Sequence, residues 1–179
     1  PTAGKERDVP TLLYVGDLSQ HKGYDVFLHA LARLNADVTA LIAGQGIPNH
    51  DLVRSLGLTD YVTHLGFVER LSLPEQYNAA DLLVVPSIDE MGPNTQIEAL
   101  ACGTPVVATD RPGINEYVSD DAAVFFSPRN AEALTDALNR ALNDLDRLRT
   151  GARQISSSFR AIDTAEALAD TYRHVLANF

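Results

Sequence analysis

The chain is sparing with several residue types, and each shortage narrows the reading. Its 179 residues contain one cysteine, one methionine and no tryptophan. A lone cysteine, Cys102, rules out an internal disulfide and fits a reducing, cytoplasmic setting. It lies between Ala101 and Gly103 at an apparent helix end, the place of a small buried hydrophobe rather than of a reactive thiol. No apolar run approaches the ~20 residues that cross a bilayer, and no signal peptide opens the sequence. Lysine is the scarcest charge: only Lys5 and Lys22 occur among 14 basic residues. With a net charge of −10, nucleic acid is a poor expectation as a partner. Aspartate outnumbers glutamate, 16 to 8, a balance that suits a salty cytoplasm as well as an ordinary acidic mesophile.

What is present is an alternation. "TLLYVG" (11–16), "DVTALIAG" (37–44), "YVTHLGFV" (61–68), "DLLVVPS" (81–87), "TPVVAT" (104–109) and "AAVFF" (122–126) are short apolar runs that read as strands. Between them, "DVFLHALARL" (25–34) carries Val26, Phe27, Ala30, Leu31 and Leu34 at helical spacing. "HDLVRSLGL" and "LPEQYNAA" read as short helices, "NTQIEALAC" (94–102) as another and "GINEYV" as a helical turn. Residues 130–150 repeat leucine and alanine at steps of three and four, which predicts one long amphipathic helix, and 163–179 predicts a terminal one. Strands alternating with helices predict a single α/β domain, a parallel sheet of about six strands covered on both faces. The polar, turn-rich residues 1–10 read as a linker.

In such sheets, ligands bind beyond the carboxyl ends of the strands. The richest loop there is "SIDEMGPNTQIE", which sets Glu90 and Glu98 eight positions apart around a strand-to-helix turn. Gly92 lets backbone approach a ligand, and Pro93 suits a first helical turn. The N–H groups of Asn94, Thr95 and Gln96 then favour phosphate. Phosphate alone would repel the glutamates, whereas carboxylates accept hydrogen bonds from vicinal diols. Phosphates flanked by sugar diols describe a nucleotide diphosphate sugar. Lys22, in the loop after the first strand, supplies a cation for the diphosphate. Two other readings of the acidic turn stand beside this one: carboxylates that only stabilise a helix start, and a metal site of Asp89, Glu90 and Glu98. No carboxylate elsewhere completes such a set convincingly, so neither a metal nor a cofactor is expected.

The segments "GDLSQHKGYDVFLHALARL", "LIAGQG", "VTHLGFV" and "AADLLVVPSIDEMGPNTQIEALACGTPVVATDRPGINEYV" resemble the carboxyl-terminal, donor-binding half of family 4 glycosyltransferases. That family has the GT-B architecture of two Rossmann-like domains. The likeness runs from about residue 11 to residue 150, in order and spacing. It implies a Rossmann-like, nucleotide-sugar-binding domain over 11–179. The activity implied is metal-independent sugar transfer with retention, from a UDP-, GDP- or ADP-sugar to an acceptor sugar or lipid-linked glycan. By resemblance, Lys22 meets the diphosphate and Glu98 the ribose hydroxyls. Glu90 faces the transferred sugar, beside the backbone of Gly92, Pro93, Asn94 and Thr95. Gly16 and Gly44 close strands at the donor, and Phe67 and Val68 lie near the base. Lys22 and Glu90 are the expected catalytic pair.

Three features depart from the family pattern, one of them Met91, Gly92 and Pro93 where the glutamate loop often reads Gly-Phe-Gly, which leaves the donor sugar open but not the class. Asp17 stands where an arginine usually pairs with the lysine; either another arginine such as Arg111 reaches in, or phosphate is held more weakly. The family's amino-terminal, acceptor-binding half is not represented in these 179 residues. The expectation is therefore a piece of a longer enzyme, cytoplasmic or peripheral at the membrane, inactive by itself. The alternatives are a GT-B nucleotide-sugar epimerase, against which "EALACGTPVV" argues, and a non-catalytic nucleotide-binding module.

Overall fold

The computed structural model describes residues 9–88, 94–111 and 118–156. The elements run β1 (Thr11–Val15), α1 (Tyr24–Leu31), β2 (Thr39–Ala43), α2 (His50–Ser55) and β3 (Val62–Gly66), then a 3-10 turn (Arg70–Ser72) leading into α3 (Leu73–Ala79). They continue with β4 (Leu82–Val85), α4 (Asn94–Ala101), β5 (Val106–Thr109), β6 (Ala123–Phe126), α5 (Ala131–Asn143) and α6 (Leu145–Ser156). All six strands are parallel, in the spatial order β3-β2-β1-β4-β5-β6. The expected α/β sheet is therefore present. The helical turn expected within 113–118 falls almost wholly outside the described residues, as do the terminal helix at 163–179 and most of the linker at 1–10.

The inner strands are largely apolar because both their faces are covered, whereas edge strand β3, with Thr63 and His64, is largely exposed. Successive side chains point to opposite faces, so Leu12, Tyr14, Leu82, Val84 and Val107 join one core with Phe27, Leu28, Leu134 and Leu138. Leu13, Leu83, Val85, Val106 and Ala108 join the other with Tyr77, Ala99 and Leu100. Helices α1, α2 and α5 cover the first face, and α3, α4 and α6 the second. Each fully buried leucine stabilises the fold by roughly 1.5–3 kcal/mol relative to exposure. No helix among the described residues is long and apolar enough to cross a membrane.

The single long helix expected over 130–150 is corrected to two. Asn130 caps α5 by accepting the Ala133 N–H. Asp144 ends it, at φ −120°, with its own N–H turned back to Arg140 and Ala141. Its carbonyl then accepts the Leu148 N–H to start α6, and its carboxylate pairs with Arg147. Asn143 and Asp144 are poor helix-interior residues, whose side chains compete for the backbone. The break is silent in the hydrophobic pattern, because Leu145 and Leu148 keep step across it. Its effect is a change of face: Leu148 belongs to the first core, Ala152 to the second. Helix α6 is fastened at the amino-terminal base of the sheet, where Arg149 pairs with Asp81 and Asp81 also accepts the Thr11 N–H.

This topology fixes where a ligand belongs. From β1 the chain steps outward through β2 to β3, then returns to β4 on the other side of β1 and steps away through β5 to β6. The loops after β1 and β4 therefore diverge and leave a crevice at their carboxyl ends. It lies at the end of the sheet opposite α6.

Candidate functional site

The crevice is assembled by backbone contacts between loops. Tyr14, buried in β1 with its ring stacked on Phe27 at 5.8 Å, places its hydroxyl within 2.6 Å of the Asp17 carbonyl and 3.4 Å of the Lys22 carbonyl. Ser19 accepts the Lys22 N–H at 3.3 Å. Gly23 then turns with φ 70° and leads into α1. A Cβ at Gly23 would sit 2.1 Å from the Pro86 carbonyl oxygen, beyond β4. The Ile88 N–H donates to the His21 carbonyl at 2.9 Å. The loop of half-buried Lys22 is thus pressed against the start of the segment that leads to α4. Thr109, at the end of β5, holds the same segment through a bond to the Ser87 carbonyl.

On the other flank, the ends of β1, β2 and β3 are tied together. Gly16 donates to Ala43, Leu18 to Gln45 and Gly44 to Gly66. A Cβ on Gly44 would lie 1.8 Å from the Gly16 carbonyl oxygen, so only glycine permits this approach. Beyond the tie lies a cavity of about 270 Å³ lined by Gly16, Asp17, Gly44, Gln45, Phe67 and Val68, with Val15, Ala43 and Leu73 at its floor. Phe67 is 66% exposed, an aromatic face at the mouth of an apolar pocket. It offers a flat ring a stacking surface. Five of the residues expected at a donor, Gly16, Asp17, Gly44, Phe67 and Val68, converge here.

Lys22, Asn94, Thr95 and Glu98 do not line that cavity: Lys22 lies in the loop after β1, and the other three on α4, after β4. Helix α4 is described from Asn94, and Asn94, Thr95 and Glu98 lie in its first turns. Glu98, with 29% of its side chain exposed, accepts the Tyr77 hydroxyl on Oε2 at 2.9 Å and approaches the Arg70 guanidinium through Oε1 at 3.4 Å. Burial, and then the Glu98 carboxylate, push the Tyr77 phenol far above the usual tyrosine range. The same two causes raise the Cys102 thiol, which keeps it protonated and agrees with its reading as a packing residue. Glu90, Gly92 and Pro93 lie outside the described residues. Asp17 is exposed at the end of β1, and Arg111 follows β5, two strands away.

Several residues here carry no local sequence signal. Tyr77 sits in a short helix whose text shows only a proline start. Gln96 is fully buried on the face of α4 shared with Ala99 and Leu100, and neither atom of its carboxamide has a hydrogen-bond partner. His64 and His50, silent in the sequence, stand 5.7 Å apart, and His64 Nε2 lies 2.9 Å from the Tyr24 hydroxyl. That hydroxyl also accepts the Asn49 N–H at 3.4 Å. The Tyr24 hydroxyl thus ties His64 to the Asn49 backbone and braces the loop after β2. Gly23 alone could have been found, as the glycine between a lone lysine and a helix.

A second, more open concavity lies elsewhere. An open trough of about 970 Å³ runs along edge strand β6, past Asp110, Phe125, Arg140 and Arg147. None of the expected site residues faces it. No group of three or more His, Cys, Asp or Glu side chains is placed to hold a metal among the described residues.

Comparison with known proteins agrees with this geometry. Residues 2–155 match the family described as Glycosyl transferases group 1. The chain is 35% identical over 187 residues to D-inositol 3-phosphate glycosyltransferase of Xylanimonas cellulosilytica, covering 96% of this chain and 45% of that protein. It superposes on sucrose-phosphate synthase of Thermosynechococcus elongatus with a TM-score of 0.82 at 30% identity, over 96% of this chain and 47% of the other. HepE of Anabaena, in complex with UDP and glucose, gives 0.82 at 26% identity, over 93% and 48%. The chain spans about half the length of the curated relatives it matches. Its architecture is the Rossmann-like carboxyl-terminal half of a GT-B fold.

Proposed function

Because this chain belongs to the glycosyl transferases group 1 family, we propose that it is the donor-binding domain of a retaining, metal-independent glycosyltransferase that uses a nucleoside diphosphate sugar. The observation that carries the reading is the contact of the two loops at the switch point. Gly23 against Pro86, and Ile88 bonded to His21, set Lys22 beside the approach to α4. Anion-binding groups thus converge from two strands. The pocket at Phe67 takes the base, Glu98 the ribose hydroxyls, and Lys22 with the first N–H groups of α4 the diphosphate. The complex of HepE with UDP and glucose supports a uridine nucleotide as the first probe.

Breaking the bond between the sugar and the diphosphate leaves negative charge on the leaving phosphate oxygen. A fixed ammonium and oriented N–H groups stabilise that charge as it develops, with no reorganisation at the moment of reaction. Asp17 cannot assist; its carboxylate repels phosphate, so more of the duty falls on Lys22. The acceptor approaches from the open side of the crevice. One wall leaves the reacting centre wet, and this domain by itself binds donor without rapid transfer.

The test is Lys22→Ala, titrated calorimetrically with UDP and with uridine. Losing a hydrogen bond to a charged group costs roughly 1.5–3 kcal/mol, or about 10- to 150-fold in affinity. UDP should weaken by that factor and uridine should not. Equal losses for both, or none for either, would remove Lys22 from the diphosphate.

A further inference from the structure

The carboxylate assigned to the ribose has a partner that nothing in the family reading names. Glu98 projects from the second turn of α4, and its side chain would otherwise sample several rotamers. Tyr77 comes from a different element, α3, with its ring 1% exposed and its backbone carbonyl held by the Thr104 hydroxyl at 2.7 Å. A phenol so fixed has one place to put its proton, the Glu98 Oε2 at 2.9 Å. The other oxygen, Oε1, meets among the described residues only the exposed guanidinium of Arg70, at 3.4 Å, which a ligand can displace.

We infer that Tyr77 is a positioning residue for the donor. Its hydroxyl locks the Glu98 carboxylate in the orientation that accepts the ribose diol, leaving Oε1 and the second lone pair of Oε2 for the two hydroxyls. The inference rests on the reading of Glu98 as the ribose ligand. Burial and the carboxylate keep the phenol protonated, so the hydroxyl stays a donor at neutral pH. Tyr77 does not touch the reacting atoms. It acts through Glu98, so its loss should appear only with ligands that engage Glu98.

The experiment uses Tyr77→Phe, which keeps the buried ring and removes one oxygen. Wild type, Tyr77→Phe, Glu98→Ala and the double variant are titrated with UDP and with 2′,3′-dideoxy-UDP. Both ligands are measured on the same sample, so their ratio does not depend on the fraction folded. Tyr77→Phe should weaken UDP about tenfold, the lower end of what losing a hydrogen bond to a charged group costs, and change the dideoxy ligand less than about twofold. In the Glu98→Ala background the same change should add nothing, since the two residues act as one unit. Tyr77→Phe losing both ligands equally, or neither, while Glu98→Ala still separates them, overturns the role of Tyr77 and leaves Glu98 at the ribose. Glu98→Ala that fails to separate the two ligands overturns both.

Discussion

Gly23 joins the two halves of the site, and replacing it with alanine tests that directly. Its φ of 70° lies in the left-handed region, where a side chain costs about 1–2 kcal/mol. The added Cβ would meet the Pro86 carbonyl oxygen at 2.1 Å, whereas a tolerable carbon–oxygen contact is about 3.3 Å. The loops must therefore separate by roughly 1.2 Å, the difference between the two figures. The bond from Ile88 to His21, now 2.9 Å, would then be broken, adding about 1 kcal/mol. With residual strain, Gly23→Ala should destabilise the domain by roughly 3–5 kcal/mol, or about 6–20 °C in Tm. Calorimetric titration below that temperature should show UDP binding weakened at least about tenfold, as expected when groups built for one ligand are displaced by an ångström. Wild-type melting together with wild-type affinity would refute the claim that this contact assembles the site.

Two further predictions concern side chains that the sequence did not mark. Gln96→Leu replaces an unpartnered buried amide with an apolar side chain of similar size, and should raise stability by about 1–3 kcal/mol in urea unfolding; a loss would mean that the amide is satisfied in solution. Burial, and then His50, lower the His64 pKa below its ordinary 6.5. The unfolded chain binds the extra proton first, so this contribution to stability is full above pH 6.5 and declines as the pH falls through the folded value. Urea midpoints of wild type and His64→Gln, compared between about pH 7.5 and 5, should show a shallower acid decline in the variant; parallel profiles would exclude His64.

Most strands were legible because burial on both faces turns them into short apolar runs, several of them closed by glycine or proline. Six such runs, alternating with helical periodicity, leave few architectures other than a covered parallel sheet. The break at Asp144 was not legible, since hydrophobic spacing continues through it and only tertiary contacts reveal the change of face. The site divides in the same way. Lys22 and Glu98 stood out by chemistry, the one by scarcity and the other by its setting in an acidic turn. Tyr77 and Arg70 become partners of Glu98 only when α3 packs against α4, a contact that no local pattern encodes. Gly23 matters for what lies 63 residues later in the chain, at Pro86.

The most direct test of the account is calorimetric titration of the unmodified chain with UDP, GDP and ADP, followed by competition with the corresponding diphosphate sugars. The few hydrogen bonds offered by one wall of a crevice predict a Kd of about 0.1 mM to a few mM for at least one nucleotide. The matching sugar donor should displace it, and the free nucleoside should bind far more weakly. If none of the three binds, or nucleoside and diphosphate bind alike, the crevice between β1 and β4 is not a nucleotide-sugar site.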